Sequence, residues 1–280
     1  MNFLNLPSKK PVYNQAKAVI LPIPYGGTGQ ADQAKGPEAI LNASQLLSTY
    51  DVETNTDVSE LSILTLDPLV CPQDPLEAME ELCSQAGQHF KKGKLVASIG
   101  GSHLISLGLV RAALEQDNNL SVLHLGAHPH LVDGLGPACD EANVMLRIQE
   151  KCAVSHIGIR SMTKAERGKI HLDNLVFARD IYNNGLNAAA DAIDLLSDKV
   201  YIAIHLDVLD PACMPTVSRP EPGGLDWYTL NALIRIVARE KSIAGFDITG
   251  LIPQHDSMHA QLLAAKLVYK TLICIMQNKF

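Results

Sequence analysis

Val200-Tyr201-Ile202-Ala203-Ile204-His205-Leu206-Asp207-Val208-Leu209-Asp210-Pro211 is an apolar run that ends on a histidine and two aspartates. Its start is rich in β-branched residues and apolar throughout, which predicts a strand covered on both faces, as in a parallel sheet. His205 and Asp207 are two residues apart, and at strand spacing such residues point the same way. Working outward, the same kind of run recurs. Strands are expected at Ala18–Ile23, Leu61–Thr65, Leu95–Ile99, Leu120–Leu125, Ala153–Ile157, Leu175–Phe177 and Ile243–Ile248. Helical periodicity falls between them, most clearly at Pro75–Lys92, Leu104–Gln116, Leu186–Ser197, Trp227–Lys241 and His259–Met276. Asp74 before Pro75 and Asp226 before Trp227 are N-cap candidates.

Strand–helix alternation along the whole length predicts an α/β fold with a largely parallel sheet. No linker-like shift of composition, internal repeat or low-complexity tract divides the chain, so residues 1–280 are expected to form one domain. Ligands of such sheets bind beyond the carboxyl ends of the strands. Four expected strand ends are unusual: Gly100-Gly101-Ser102-His103, Gly126-Ala127-His128-Pro129-His130, His205-Leu206-Asp207, and Asp247-Ile248-Thr249-Gly250. For any one histidine here the ordinary role is a hydrogen-bonded structural one. Two i, i+2 pairs plus His103 at one end of a sheet also suit a metal ion, because neutral imidazole and carboxylate are the usual ligands of first-row divalent metals. Neither GxGxxG nor GxxxxGK[ST] occurs, and Gly26-Gly27, Gly100-Gly101 and Gly223-Gly224 read as tight-turn residues.

The chain has 280 residues, with 30 Asp+Glu against 23 Lys+Arg and a formal charge of −7. Charged residues are 19% and hydrophobic ones 47%, which fits a folded globular chain and not a disordered one. With no basic run, a nucleic-acid partner is not expected. No apolar run of about 20 residues stands out, so neither is a membrane span, and Met1–Tyr13 does not read as a signal peptide. Six scattered cysteines without a CxxC pair read as reduced thiols of a cytoplasmic protein.

At these strand ends the sequence resembles the ureohydrolase family of arginase, agmatinase and formiminoglutamase, most of all its agmatinase branch. Ile20-Leu21-Pro22-Ile23-Pro24-Tyr25 and Gly36-Pro37-Glu38-Ala39-Ile40-Leu41 resemble the agmatinase N-terminal region. Gly100–His103 resembles GGDH, Gly126–Leu131 resembles DAHxDL, and His156–Ser161 resembles the family's GxRs strand. His205–Pro211 resembles DxDxxDP, and Pro220–Leu225 resembles PEPGGL. The resemblance implies an arginase-like three-layer α/β sandwich with an eight-stranded sheet, and a homo-oligomer, trimer or hexamer. It implies a binuclear metal site, usually manganese, built from two histidines and four aspartates, which activates water to release urea from a small guanidino compound.

Three positions of that set match: His103, His128 and Asp207. Gly126 stands where the first Asp of DAHxD belongs, His130 where the second belongs, and His205 where the first Asp of DxD belongs. The aspartates matched by Gly126 and His205 bridge the two metals. A neutral imidazole has one lone pair and cannot bridge, and one carboxylate offsets little of the repulsion between two dications. The expectation is therefore a single-metal centre of His103, His130 and His205, suited to zinc, nickel or iron better than to manganese. His128 and Asp207 would supply a further ligand or orient the others. Glu141 aligns with the family's helper histidine and is the candidate catalytic base, its ordinary alternative being a solvated loop acid. Thr229 stands where the acid that pairs the guanidinium belongs, so a charge-assisted contact is missing, and Gly250 stands where the Glu at the end of the family's DvvE strand belongs. Two functions stay open. One is a retooled metallohydrolase acting on a C–N bond of a small guanidino or amidino compound. The other is a catalytically inactive, metal-free paralogue that acts as a binding or regulatory subunit, partnered by an intact family member.

Overall fold

A computed structural model describes residues 1–6, 13–27, 31–133, 139–254 and 256–279. Each apolar run becomes a strand, all but the short edge strands being buried on both faces. They are β1 (Ala18–Ile23), β2 (Ile63–Thr65), β3 (Leu95–Gly100), β4 (Leu120–Leu125), β5 (Val154–Ile159), β6 (Leu175–Phe177), β7 (Lys199–His205) and β8 (Ser242–Thr249). They pair in the order β2-β1-β3-β8-β7-β4-β5-β6, with every pairing parallel. The last strand in sequence thus lies at the centre, between β3 and β7, and His205 faces Thr249 in the register.

Alternation along the strands divides the core into two layers of side chains. On β1, Ala18 and Ile20 belong to one cluster, with Leu233, Ile234 and Leu272 from helices Trp227–Glu240 and His259–Lys279. Val19 and Leu21 belong to the other, with Met79, Leu82 and Val110 from helices Pro75–Lys91 and Ile105–Leu114. Helices therefore cover both faces, and the three-layer α/β sandwich is the observed architecture. At about 25 cal/mol per Å², two such layers are the dominant stabilising contribution.

The Asp74 carboxylate accepts the backbone N–H groups of Leu76 and Glu77, and that of Asp226 accepts Thr229 N–H, so both expected caps form. Two expected elements differ. β2 begins at Ile63, because a 3-10 turn over Val58–Glu60, capped by Asp57, occupies the preceding residues. Leu186–Ser197 is not one helix. It is a 3-10 segment at Gly185–Ala189 and a short helix at Ala190–Asp194, and Ser197 gives its N–H to the Ser121 hydroxyl instead of an i−4 carbonyl. Helices at Gly36–Ser44, Val144–Gln149 and Ala178–Asn184 were not expected. Gly101 answers to crowding more than to a turn, since a Cβ there would lie 2.4 Å from the Tyr25 carbonyl oxygen.

One helix, His259–Asn278, is long and apolar enough by length and composition to cross a membrane, contrary to the sequence-based expectation. It is 78% buried inside the fold, so its apolar side chains already face protein.

Candidate metal centre

The turn after β7 is held by backbone capture. The Asp210 carboxylate accepts the N–H groups of Ala212, Gly223 and Gly224. The Arg160 guanidinium donates to the carbonyls of Gly158, Asp207, Val208, Leu209, Glu221 and Pro222. Planar donors in a fixed fork suit such a task, and a lysine would not span it. Residues 205–210 and 221–224 are thereby locked together beside the strand end.

His103, His128, His130, His205 and Asp207 converge there, all buried. Strand alternation is not what aligns them. β4 ends at Leu125, so His128 and His130 lie on the loop beyond it, and Leu206–Val208 is a 3-10 turn. His130 has φ +53°, a left-handed backbone that a non-glycine residue holds only where its surroundings impose it.

One donor atom from each of His103, His130 and His205 lies within 4.8 Å of the other two, and His128, His130 and Asp207 form a second such group. The rings of His103 and His205 stack, with centroids 3.7 Å apart and planes at 14°. A common pattern runs through three of them. His103 Nδ1 bonds Thr249 Oγ1 at 2.7 Å, His128 Nδ1 bonds Asp207 Oδ2 at 2.9 Å, and His205 Nδ1 bonds His124 Nε2 at 3.0 Å. Each therefore has its Nδ1 engaged and its Nε2 left over, the usual arrangement around a metal-ligating histidine. His205 Nε2 and both ring nitrogens of His130 are buried without a hydrogen-bond partner among the described residues. Buried polar atoms are rarely left so, and each needs an explanation. A cation that takes imidazole lone pairs fits them.

Asp207 is occupied differently. Its Oδ1 accepts Ala127 N–H at 3.1 Å while its Oδ2 faces His128. Burial opposes its charge, but the His128 hydrogen bond and the surrounding histidines prevail and hold its pKa down at about 2. It is thus an ionised orienter of His128. Burial, then the proximity of His103, lowers His130 to about 4. Burial also lowers His205 and His124 well below the usual histidine value, and His156 to about 3. These four imidazoles are neutral at pH 7, as ligand chemistry requires.

Sequence reasoning missed His124 and attached no role to His156. They lie opposite one another in the β4–β5 register, and their Nδ1 atoms are 3.0 Å apart. Two fully buried histidines inside otherwise apolar strands were the available signal. His124 also accounts for Gly126. A Cβ at Gly126 would lie 2.6 Å from His124 Nε2, so the ring fills the room a side chain there would need. Gly250, with φ +94°, shows the same relation to another ring, since a Cβ there would lie 2.5 Å from His103 Cε1.

Glu141 is no solvated loop acid. Its side chain is 13% exposed, it accepts the Ser102 hydroxyl at 2.6 Å, and its Oε1 is 3.9 Å from His103 Nε2. Burial works against its charge, yet His103, His130 and the Ser102 hydroxyl lower its pKa overall. Thr229 is engaged locally. Its N–H and hydroxyl both donate to Asp226 in the first turn of a helix. Trp227, at the helix start, packs partly buried against the core. The sequence reads His255 and Asp256 as the start of the last helix; His255 lies outside the described residues, and the helix begins at His259. A cleft of about 210 Å³ borders the cluster, lined by His128 and His130 on one side and by Thr163, Glu166 and Arg219 on another.

The model of the Arginase family matches residues 16–274 of this sequence. The chain belongs to the arginase family. N(1)-aminopropylagmatine ureohydrolase of Synechocystis sp. is 34% identical over 274 residues, 93% of this chain and 89% of that one. The crystal structure of agmatine ureohydrolase of Thermoplasma volcanium superposes with a TM-score of 0.85 at 25% identity, covering 96% of this chain and 92% of that one. Trypanosoma cruzi formiminoglutamase with Mn2+ superposes with a TM-score of 0.86 at 20% identity, covering 98% of each chain, and so shares the fold. These relatives are hydrolases of non-peptide C–N bonds, and this chain is an agmatinase-type member of that hydrolase family.

Proposed function

We propose that this arginase-family member hydrolyses a C–N bond of a small guanidino or amidino compound from a single histidine-rich metal centre, in place of a manganese pair. The observation that carries the proposal is the set of buried, unpartnered imidazole nitrogens on His130 and His205 beside His103. His103, His130 and His205 would hold the ion, with His128 adjoining and Asp207 orienting His128. Neutral nitrogen donors without a carboxylate aimed at the ion favour zinc, nickel or iron. A bound ion of this kind supplies Lewis acidity and makes water more acidic.

The chain's own residues do the rest. The cleft beside His128 and His130 receives the substrate. Glu141, ionised and fixed by the Ser102 hydroxyl, accepts a proton near His103 and can return it to the departing nitrogen. The Glu166 carboxylate is occupied, with Oε1 on Leu131 N–H and Oε2 on Thr163, so it is not a spare partner for a guanidinium. A soluble homo-oligomer in the cytoplasm is proposed on the resemblance alone.

The test is elemental analysis of tag-free protein, together with a screen of guanidino and amidino compounds for release of urea, ammonia or formamide. About one zinc, nickel or iron per chain with turnover supports the proposal. Substoichiometric metal with no turnover would leave the non-catalytic subunit as the better account, and two manganese ions per chain would defeat the single-centre assignment.

A further inference from the structure

A line of buried hydrogen bonds leads away from the candidate centre, and its far end is far from the chemistry. His205 Nδ1 lies 3.0 Å from His124 Nε2, and His124 Nδ1 lies 3.0 Å from His156 Nδ1. His156 Nε2 lies 3.1 Å from Gln149 Oε1, at the end of helix Val144–Gln149. Gln149 is half-buried, whereas the three histidines are fully buried.

Each link needs one donor and one acceptor, and a neutral imidazole carries one N–H. The line can therefore run in two directions only. Either every N–H points away from the centre or every N–H points toward it. The far end decides between them. The Gln149 amide nitrogen donates to the Lys169 carbonyl at 3.3 Å, and a carbonyl only accepts. That places the amide oxygen on His156, so His156 Nε2 carries the proton and its Nδ1 is bare. His124 Nδ1–H then donates to His156, and His124 Nε2 is bare. His205 Nδ1–H donates to His124, and His205 Nε2 is left with a lone pair.

We infer that Gln149 is a positioning residue that sets the tautomer of His205 through His156 and His124, and so presents the His205 Nε2 lone pair to the candidate centre. Among the described residues, His205 Nε2 is the one nitrogen of this line with no protein partner. In the opposite direction it would be a buried N–H with nothing to accept it and no lone pair to offer. The usefulness of the lone pair rests on the metal proposal above, whereas the tautomer itself does not. The side chain missing at Gly126 belongs to the same device, since only with that space empty can the His124 ring reach His205.

The experiment is long-range 15N–1H correlation of the histidine rings in the metal-free full-length chain. Wild type is expected to show His205, His124 and His156 as single neutral tautomers, with His205 and His124 protonated at Nδ1 and His156 at Nε2. Gln149→Glu keeps an acceptor and should leave the pattern unchanged. Gln149→Lys offers only donors and should reverse it, placing the proton on His205 Nε2. Gln149→Met has neither and should give both tautomers, which serves if Gln149→Lys does not fold. Cobalt(II) affinity by chelator competition should be near wild type for Gln149→Glu and at least about tenfold weaker for Gln149→Lys. A wild-type His205 protonated at Nε2, or a pattern that ignores both Gln149→Lys and Gln149→Met, overturns the inference. Reversal of the tautomer in a chain that binds no metal would uphold it while removing the metal proposal.

Discussion

Asp247 and Thr249 stand two residues apart on one strand, yet they belong to buried polar clusters of opposite character. Around Asp247 the bonding is closed. Its carboxyl accepts the Ser106 hydroxyl at 3.1 Å and the Tyr201 hydroxyl at 2.9 Å, and burial pushes its pKa up to about 7. Around Thr249 the bonding is open. The Thr249 hydroxyl meets His103, and beyond it lie His205 Nε2 and the two His130 nitrogens, without partners among the described residues. A closed buried network serves the fold, whereas several unpartnered ring nitrogens gathered at one strand end call for a ligand that uses them. Buried polarity alone is therefore no mark of function here. The ring nitrogens of His130 and His205, unpartnered among the described residues and gathered at one strand end, are what distinguish the second cluster.

The contrast breaks most decisively at His130. His130→Asn keeps a residue that tolerates the left-handed backbone and removes the imidazole. Metal affinity should fall at least about a thousandfold, near 4 kcal/mol, while the metal-free chain unfolds within about 1 kcal/mol of wild type. Chelator competition and urea melts read the two quantities, and retained affinity would remove His130 from the centre. Asp247→Ala should do the reverse. It leaves the Ser106 and Tyr201 hydroxyls unpartnered and should cost about 3 kcal/mol of stability with metal content unchanged.

Gly126→Asp sharpens the contrast, because it tries to put a carboxylate back into the open cluster. The new side chain meets the His124 ring, so a loss of about 2 kcal/mol is expected. Combining it with His124→Ala should recover most of that loss, and strict additivity of the two changes in urea melts would show that they do not share the space.

Acid should reveal the same division in the metal-free chain. His130 at about 4 and His156 at about 3 lie below the ordinary histidine value of about 6.5 in the unfolded chain. As pH falls below about 6.5, the unfolded chain takes protons that the fold refuses. Each such group then removes up to about 1.4 kcal/mol per pH unit, and His124 and His205 act in the same sense. Asp247 works the other way. Its raised pKa lets the fold take a proton between about 7 and about 4, which adds stability as pH falls, but one carboxyl offsets only one histidine. Melts at pH 7.5 and pH 5 should differ by several kcal/mol in favour of pH 7.5. The smallest effect belongs to Ser102→Ala, which frees Glu141 from its donor and should cost about 1 kcal/mol. A larger shift in the pH dependence of turnover than in stability would mark Glu141 as the working base.

The strands were legible because each is an apolar run with polar ends, and β1, β4 and β6 coincide with the expected bounds. The convergence of His103, His128, His130 and His205 was legible because each follows such a run. Two features were hidden. The alignment of His128 with His130 comes from a loop and a left-handed residue, which no spacing rule describes. His124 and His156 sit inside strands, where a histidine ordinarily reads as an isolated structural residue, and their pairing depends on which strands become neighbours. Gly126 read as a missing carboxylate. Only the packed structure shows that its emptiness is occupied.

That occupied emptiness has an evolutionary consequence. With His124 present, an acid cannot enter position 126 without collision. With Gly126 present, removal of His124 leaves a hole and a His205 Nδ1–H without its acceptor. Each single step away from the present pair is expected to cost stability, so the two residues hold each other in place. A lineage that reached this arrangement would find the return to a carboxylate-bridged centre closed to one mutation at a time. Gly126 and His124 work as a ratchet, and natural variants should change the two together or neither.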